Sequence, residues 1–406
     1  MKPEGHQFTK LREEVLTRLS QGLQEHTLTA FWTYILLCEL CRNVIDRDLS
    51  WAQRDSERLR YFNALNNLFA ELTPNDTGDF SERLLRQVDR LTARFDTLTE
   101  LTSTRITELL FKAEIPQLEK VVANYLSHKT EVWMLIDNLD KGWPTRGATP
   151  EDVLIIRTLL EATRKIQRRL YRQQVDMYSL VFLRNDIYDL LVRETSDRDK
   201  DTAVIVDWDD PEVFKELVLQ RIKTTTGLTG TFDNIWGNAF ERNVGTQDSF
   251  RFVTERTLMR PRDLIRFLRK AVQVAVNRGH PRVQEDDFRT AEGVYSEELL
   301  VSINYEVSDV SPQYRDLLYY FIGCRSIMQV SEVNHIISDA VGADDCKKAF
   351  QLLIWFGFLG VLDKDSTEPQ FAYDIGYNLP KIEAVLRTGK AQLVIHPAFR
   401  ASLDCQ

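Results

Sequence analysis

The sequence predicts a helix-rich α/β protein in which a helical N-terminal part leads into a parallel sheet, followed by a helical lid and a mixed C-terminal domain. Three observations carry that reading. Apolar residues recur at three- and four-residue spacings over residues 8–129, and no glycine falls between Gly22 and Gly78. Short continuous apolar runs follow, Val132-Trp133-Met134-Leu135-Ile136, Tyr178-Ser179-Leu180-Val181-Phe182-Leu183 and Ala203-Val204-Ile205-Val206, the pattern of strands buried on both faces. Between the first two lies a helical stretch at about residues 150–173, with Thr149 as N-cap and Pro150 at the first helical position. Strand, helix, strand is a crossover unit and implies parallel strands.

The remaining elements follow from local signals. Asn75-Asp76-Thr77-Gly78 reads as a loop, with Asp79 or Ser81 available to cap the next helix. Residues 211–223 read as a helix and residues 224–230, rich in threonine and glycine, as a loop. Helices at about 260–277 and 284–298 form the expected lid. From Ser311 the expected order is helix (314–322), helix (330–341), helix (346–356), then short apolar pieces at 359–362, 371–374 and 393–395, the order of a winged-helix-like domain. The expected domains are therefore 1–130, 131–225, 226–305 and 306–406.

Composition excludes several classes. A chain of 406 residues and 47.3 kDa exceeds one ordinary core. With 43% hydrophobic and 28% charged residues it is neither disordered nor fibrous. Apolar runs such as residues 350–362 are broken by Gln351 and glycines and fall short of a membrane span, so no membrane partner is expected. Residues 1–10 lack a secretory apolar stretch, which predicts a cytoplasmic location. Five cysteines, an odd number, predict reduced thiols, and Cys38 and Cys41 fall inside a helical run where packing is the simpler role. The six histidines are scattered, and neither HExxH nor Gly-x-Ser-x-Gly occurs.

A net charge of −9 argues against a protein that coats nucleic acid, yet two basic stretches stand out. Arg157, Arg164, Lys165, Arg168, Arg169 and Arg172 crowd one helix, and Arg260, Arg262, Arg266, Arg269, Lys270 and Arg278 crowd another. Residues 301–406 carry about four more acids than bases, which disfavours phosphate contact by the C-terminal domain. If nucleic acid is bound, Arg164, Arg168, Arg169 and Arg172 are the better face, with an acidic protein partner as the rival occupant.

The string Leu135-Ile136-Asp137-Asn138-Leu139-Asp140-Lys141-Gly142-Trp143 holds the candidate chemistry. A carboxylate at the carboxyl end of a buried parallel strand lies where open α/β sheets bind ligands, and a nucleotide-bound Mg2+ needs a hard oxygen there. Asp137 is the candidate magnesium-side acid, acting through water, and Asp140 the candidate for orienting attacking water. The bland alternative is that Asp137 caps a loop.

Together with Leu183-Arg184-Asn185-Asp186-Ile187-Tyr188, Met259-Arg260-Pro261-Arg262-Asp263-Leu264-Ile265, Trp355-Phe356-Gly357-Phe358-Leu359-Gly360-Val361, Tyr373-Asp374-Ile375-Gly376-Tyr377-Asn378 and Ile395-His396-Pro397-Ala398-Phe399-Arg400, this string resembles bacterial P-loop ATPases related to STAND and AAA-type NTPases. The resemblance covers most of the chain. It implies that Asp137 and Asp140 sit in a Walker B motif, that Arg184 or Asn185 is sensor-like, and that Arg262, with Arg260 beside it, resembles the lid's sensor arginine. ATP and Mg2+ are the cofactors it implies, with a protein effector and oligomeric assembly as partners. For Arg184 a surface salt bridge to Asp186 or Asp189 remains the alternative.

The chain departs from the family at one point. A phosphate-binding loop needs Gly-x-x-x-x-Gly-Lys-Ser/Thr so that packed backbone N–H groups and a lysine surround the phosphates, and no such string occurs. In the family that loop precedes the region resembling residues 1–12, which predicts that a segment lies upstream or has been lost. Its absence should leave the strands near Val132 and Val181 in one group and that near Val204 apart. The expected function is a portion of an ATP-driven signalling switch that is inactive alone, with a non-catalytic regulatory scaffold, or a nucleic-acid-binding module, as alternatives.

Overall fold

A computed structural model describes residues 1, 5–74, 77–97, 114–139, 149–194, 203–204, 206, 208 and 210–405. The chain is a helix-rich α/β protein of two compact units, Met1–Thr202 and Ala203–Gln406, each with its own hydrophobic core.

The first unit begins with α1 (Gly5–Lys10), which runs through a π-helical turn and a 3-10 turn to Arg18, then α2 (Gln21–Ala52), α3 (Ser56–Leu72), α4 (Phe80–Asp96) and α5 (Glu114–Leu126). Helix α2 is the centre of this unit. Every residue from 31 to 41 is buried, because α3, α5 and the crossover helix pack around it, and a helix apolar on all sides must be enclosed on all sides. By length and composition Gly22–Ala52 is also apolar enough to cross a membrane, a property the sequence reading assigned to no segment, but 78% of its apolar window is buried within the protein. Cys38 and Cys41 are free thiols in this buried run, as expected of core residues. The one acid there, Glu39, is held bidentately by Arg83 from α4 at 2.7 and 2.5 Å. Helix α4 is capped by Asp79, whose carboxylate accepts from the Glu82 N–H, so of the two candidate caps Asp79 is the one used.

Strand β1 (Val132–Ile136), the crossover helix α6 (Pro150–Tyr171) and β2 (Met177–Val181) form the expected unit, and the two strands pair in parallel with Val132 opposite Met177 and Ile136 opposite Val181. Thr149 caps α6 in a capping box with Asp152, and Pro150 stands at the helix start. Helix α7 (Asn185–Glu194) follows β2. Among the described residues the third expected strand is not formed. Val204 and Val206 lie outside any strand and are 83% and 74% exposed, while Ile205 is outside the described residues. Apolar β-branched sequence sets propensity, but a strand needs a partner edge, and Ala203, Val204 and Val206 pair with none among the described residues.

In the second unit α8 (Pro211–Thr226) closes at Gly227, whose φ of 71° is the left-handed cap conformation. Helix α9 (Phe232–Ala239), a two-residue hairpin β3 (Asn243–Val244) and β4 (Gln247–Asp248), and α10 (Ser249–Thr254) surround stacked Trp236 and Phe240. The expected lid helices are α11 (Pro261–Arg278) and α12 (Glu285–Val310), packed along each other. Beyond them the expected helix at 314–322 is instead two 3-10 turns, Pro312–Tyr314 and Leu317–Phe321, which Gly323 ends at φ 76°. Then come β5 (Ile327–Gln329), α13 (Val330–Val341), α14 (Cys346–Trp355), β6 (Leu359–Leu362), α15 (Leu379–Arg387), β7 (Gln392–Ile395) and α16 (Pro397–Arg400). Strand β7 is central in an antiparallel sheet of order β5-β7-β6. The short apolar piece at 371–374 leads into a 3-10 turn, Tyr373–Ile375, and Gln370 before it bridges to Val361.

Candidate functional site

The parallel register of β1 and β2 brings the carboxyl ends of both strands to one end of the sheet. Asp137 follows β1 directly and is half-buried. Its side chain accepts a hydrogen bond from the Asn138 N–H at 2.8 Å, and Asn138 adopts φ 65°, so the chain turns sharply away from the strand. The backbone of Met1 lies along the other edge of β1: its amino group donates to the Leu135 carbonyl at 2.9 Å, and the Asp137 N–H donates to the Met1 carbonyl at 3.0 Å. Asp140 and the Lys141-Gly142-Trp143 that follow lie outside the described residues.

Three residues beyond β2, half-buried Arg184 begins α7, its carbonyl accepting from the Tyr188 N–H at 3.0 Å, and exposed Asn185 is the first helical residue. Asp137 and Arg184 therefore stand at the same end of two neighbouring strands. The side chains of Asp186 and Asp189 are outside the described residues, so the alternative ion pair for Arg184 is too.

Among the described residues no three His, Cys, Asp or Glu side chains gather as a metal group. Mg2+ retains several waters and is commonly held by one or two carboxylates with the substrate's phosphates, so a single acid at Asp137 fits that mode of binding.

The N-terminus of α6 carries a buried ion pair that sequence reasoning did not single out. Asp152, 4% exposed, accepts from Arg12 at 3.0 and 3.2 Å and from the Thr149 N–H and hydroxyl at 2.9 Å each. The capping spacing from Thr149 to Asp152 was a signal for the acid, but its arginine lies 140 residues upstream.

Along α6 the basic stretch divides. Arg157 pairs with Glu25 at 3.0 Å, Arg164 and Lys165 approach Glu161 at 3.6 and 3.7 Å, and Arg169 binds Glu119 from α5. For exposed Arg168 and Arg172 no ion pair is recorded among the described residues. An open groove of about 420 Å³ lies between the C-terminal half of α6 and the start of β2, and Arg164, Arg168, Tyr171 and Tyr178 line it.

The arginines at the start and along α11 separate likewise. Arg260 grips Glu306 at 3.1 and 3.4 Å, whereas Arg262, in the first turn of α11, is exposed. Neighbouring Asp263 is buried, and burial raises its carboxyl pKa against the pull of Arg260 and Arg266. Arg278 and His280 both hold the fully buried Asp287, at 2.9 and 2.7 Å, and Lys270 pairs with Glu298, so Arg278 and Lys270 of the second basic stretch stitch α11 to α12, with His280 just beyond α11. His396 is enclosed as expected of a packed histidine: Nδ1 accepts from the Ala398 N–H at 3.0 Å and Nε2 lies 2.9 Å from the Tyr373 hydroxyl.

Residues 212–304 match the FunZ-associated C-terminal helical domain. That stretch spans α8 through most of α12 and lies wholly in the second unit. No curated protein and no solved structure matches the chain.

Proposed function

We propose that the chain is a portion of an ATP-dependent signalling switch whose first unit supplies the magnesium side of the nucleotide site. The observation that supports it is the placement of Asp137 and Arg184 at the carboxyl ends of two adjacent parallel strands joined by a crossover helix, the position at which open α/β sheets take ligands. In this reading Asp137 holds the hydrated Mg2+ of Mg-ATP, Asp140 orients water, and the Arg184 guanidinium, with Asn185 beside it, senses the γ-phosphate. Arg262, exposed in the first turn of α11, is the lid's candidate sensor; Arg260, engaged by Glu306, is the weaker one. Magnesium would draw charge from the phosphates, and the protein groups would orient them. Without a Gly-x-x-x-x-Gly-Lys-Ser/Thr string the chain alone lacks the means to hold phosphates firmly, so hydrolysis is assigned to an assembly rather than to this chain.

The C-terminal region is read as winged-helix-like because α13 and α14 are followed by β6 and β7, with β5 completing the antiparallel sheet. Its excess of acids supports docking to protein rather than DNA.

A titration of the purified chain with a fluorescent ATP analogue, with and without Mg2+, tests this reading. Weak, magnesium-dependent binding that Asp137→Ala reduces at least about tenfold is the expected result, with no measurable hydrolysis. Binding indifferent to Mg2+ and to Asp137→Ala would favour the second reading, a non-catalytic regulatory module, for which the missing phosphate loop already speaks.

A further inference from the structure

The two faces of the β1–β2 sheet differ sharply. On one, Met134, Ile136 and Met177 are buried, with α6 packed against β2. On the other, Trp133, Leu135, Tyr178, Leu180 and Phe182 are 42% to 51% exposed. The register sets Trp133 opposite Tyr178 and Leu135 opposite Leu180, so the exposed residues form one block rather than scattered positions. Parallel sheets are ordinarily covered on both faces, and a contiguous apolar block of this kind marks a contact surface.

Tyr178 also lines the groove beside α6, so the apolar block runs directly into Arg164 and Arg168, with Arg172 one helical turn further on. Asp176 lines the same groove and Arg164 approaches Glu161, so in a chain of net charge −9 the positive charge beside the block rests on exposed Arg168 and Arg172. We propose that this face docks a helix of a partner protein, whose apolar stripe covers Leu135 and Leu180 and whose flanking carboxylates meet Arg168 and Arg172.

The chemistry favours this occupant over two others. Nucleic acid would use stacking, but the Trp133 and Tyr178 rings already stack on each other, with centroids 4.8 Å apart and planes 27° apart, and the centre of the block is leucine. A second copy docking face to face would set one arginine cluster near another. A helix fits better than an added strand because the uncovered surface is a sheet face, and helices on sheet faces are the usual cover.

Two synthetic helical peptides of about 18 residues test the surface, one with leucine on one face and glutamate on the other, one with lysine in place of glutamate. Fluorescence anisotropy with the full chain should show saturable binding of the glutamate peptide and at least about tenfold weaker binding of the lysine peptide. Arg168→Glu and Leu180→Asp should each weaken the glutamate peptide about tenfold or more, and Phe182→Asp serves as a second apolar variant. All three positions are exposed, and unchanged thermal unfolding confirms that the variants fold. No binding of the glutamate peptide, equal binding of both peptides, or indifference to the apolar variants overturns the proposal. So does an oligothymidylate that binds in an Arg168-dependent way, or a dimer in sedimentation that Leu180→Asp dissolves.

Discussion

Burial pushes the His396 imidazole pKa down to about 3, with Arg400 and Arg256 adding repulsion of its charged form. An unfolded histidine titrates near 6.5, so the folded state disfavours the proton, and the stability this group contributes is present above that value and lost as pH falls toward 3. Between pH 7 and pH 5 the loss should be about 2 kcal/mol. Urea unfolding at the two pH values should show it, and His396→Gln should remove that part of the difference while lowering stability at pH 7. An identical pH dependence in both proteins would contradict the assignment. At this scale the sequence was partly legible: a histidine before proline in an apolar stretch reads as packed, but Tyr373, which meets its Nε2, lies 23 residues away and is joined to it only by the fold.

Among the elements, β6 depends on the absence of one side chain. A Cβ added at Gly360 would sit 2.6 Å from the Phe371 ring, which is buried and packed edge-on to His396 at 4.4 Å, so the ring has little room to retreat. Gly360→Ala should therefore destabilise the second unit by about 1–3 kcal/mol, measurable as a shift in its denaturant midpoint. Elements whose signals are local were legible: α6 from its cap and proline, α4 from Asp79, and β1 and β2 from apolar runs flanking a helix. Among the described residues Ala203, Val204 and Val206 belong to no strand despite the same apolar composition, because strand formation is settled by a neighbouring edge that no local pattern encodes. The arginines of α6 looked like one basic face. Their partners Glu25 and Glu119 come from 132 and 50 residues upstream, so only the fold separates Arg157 and Arg169 from Arg168 and Arg172.

For the whole molecule, the two hydrophobic clusters are made from different residues, one within each unit. Calorimetry should resolve two transitions. Arg12→Ala, which strips the arginine from buried Asp152, should lower one of them by about 2–3 kcal/mol and leave the other, and Gly360→Ala should do the reverse. A single transition shifted by both variants would show that the units unfold as one. The position of Asp137 at a strand end was legible because an apolar run and an acid are adjacent in sequence; its relation to Arg184 became visible only once the parallel register was known.

The enclosure of α2 bears on how the chain is made. The Trp32 indole N–H donates to the Ile155 carbonyl of α6, a partner 123 residues later in the chain. At translation speeds of about 5–20 residues per second, Ile155 is synthesised roughly 6–25 s after Trp32. During that interval a 32-residue apolar helix has no complete core to enter. Early synthesis of this protein is thus a period in which chaperone binding, aggregation and misdirection to a membrane compete for one segment, and the arrival of α6 ends that competition.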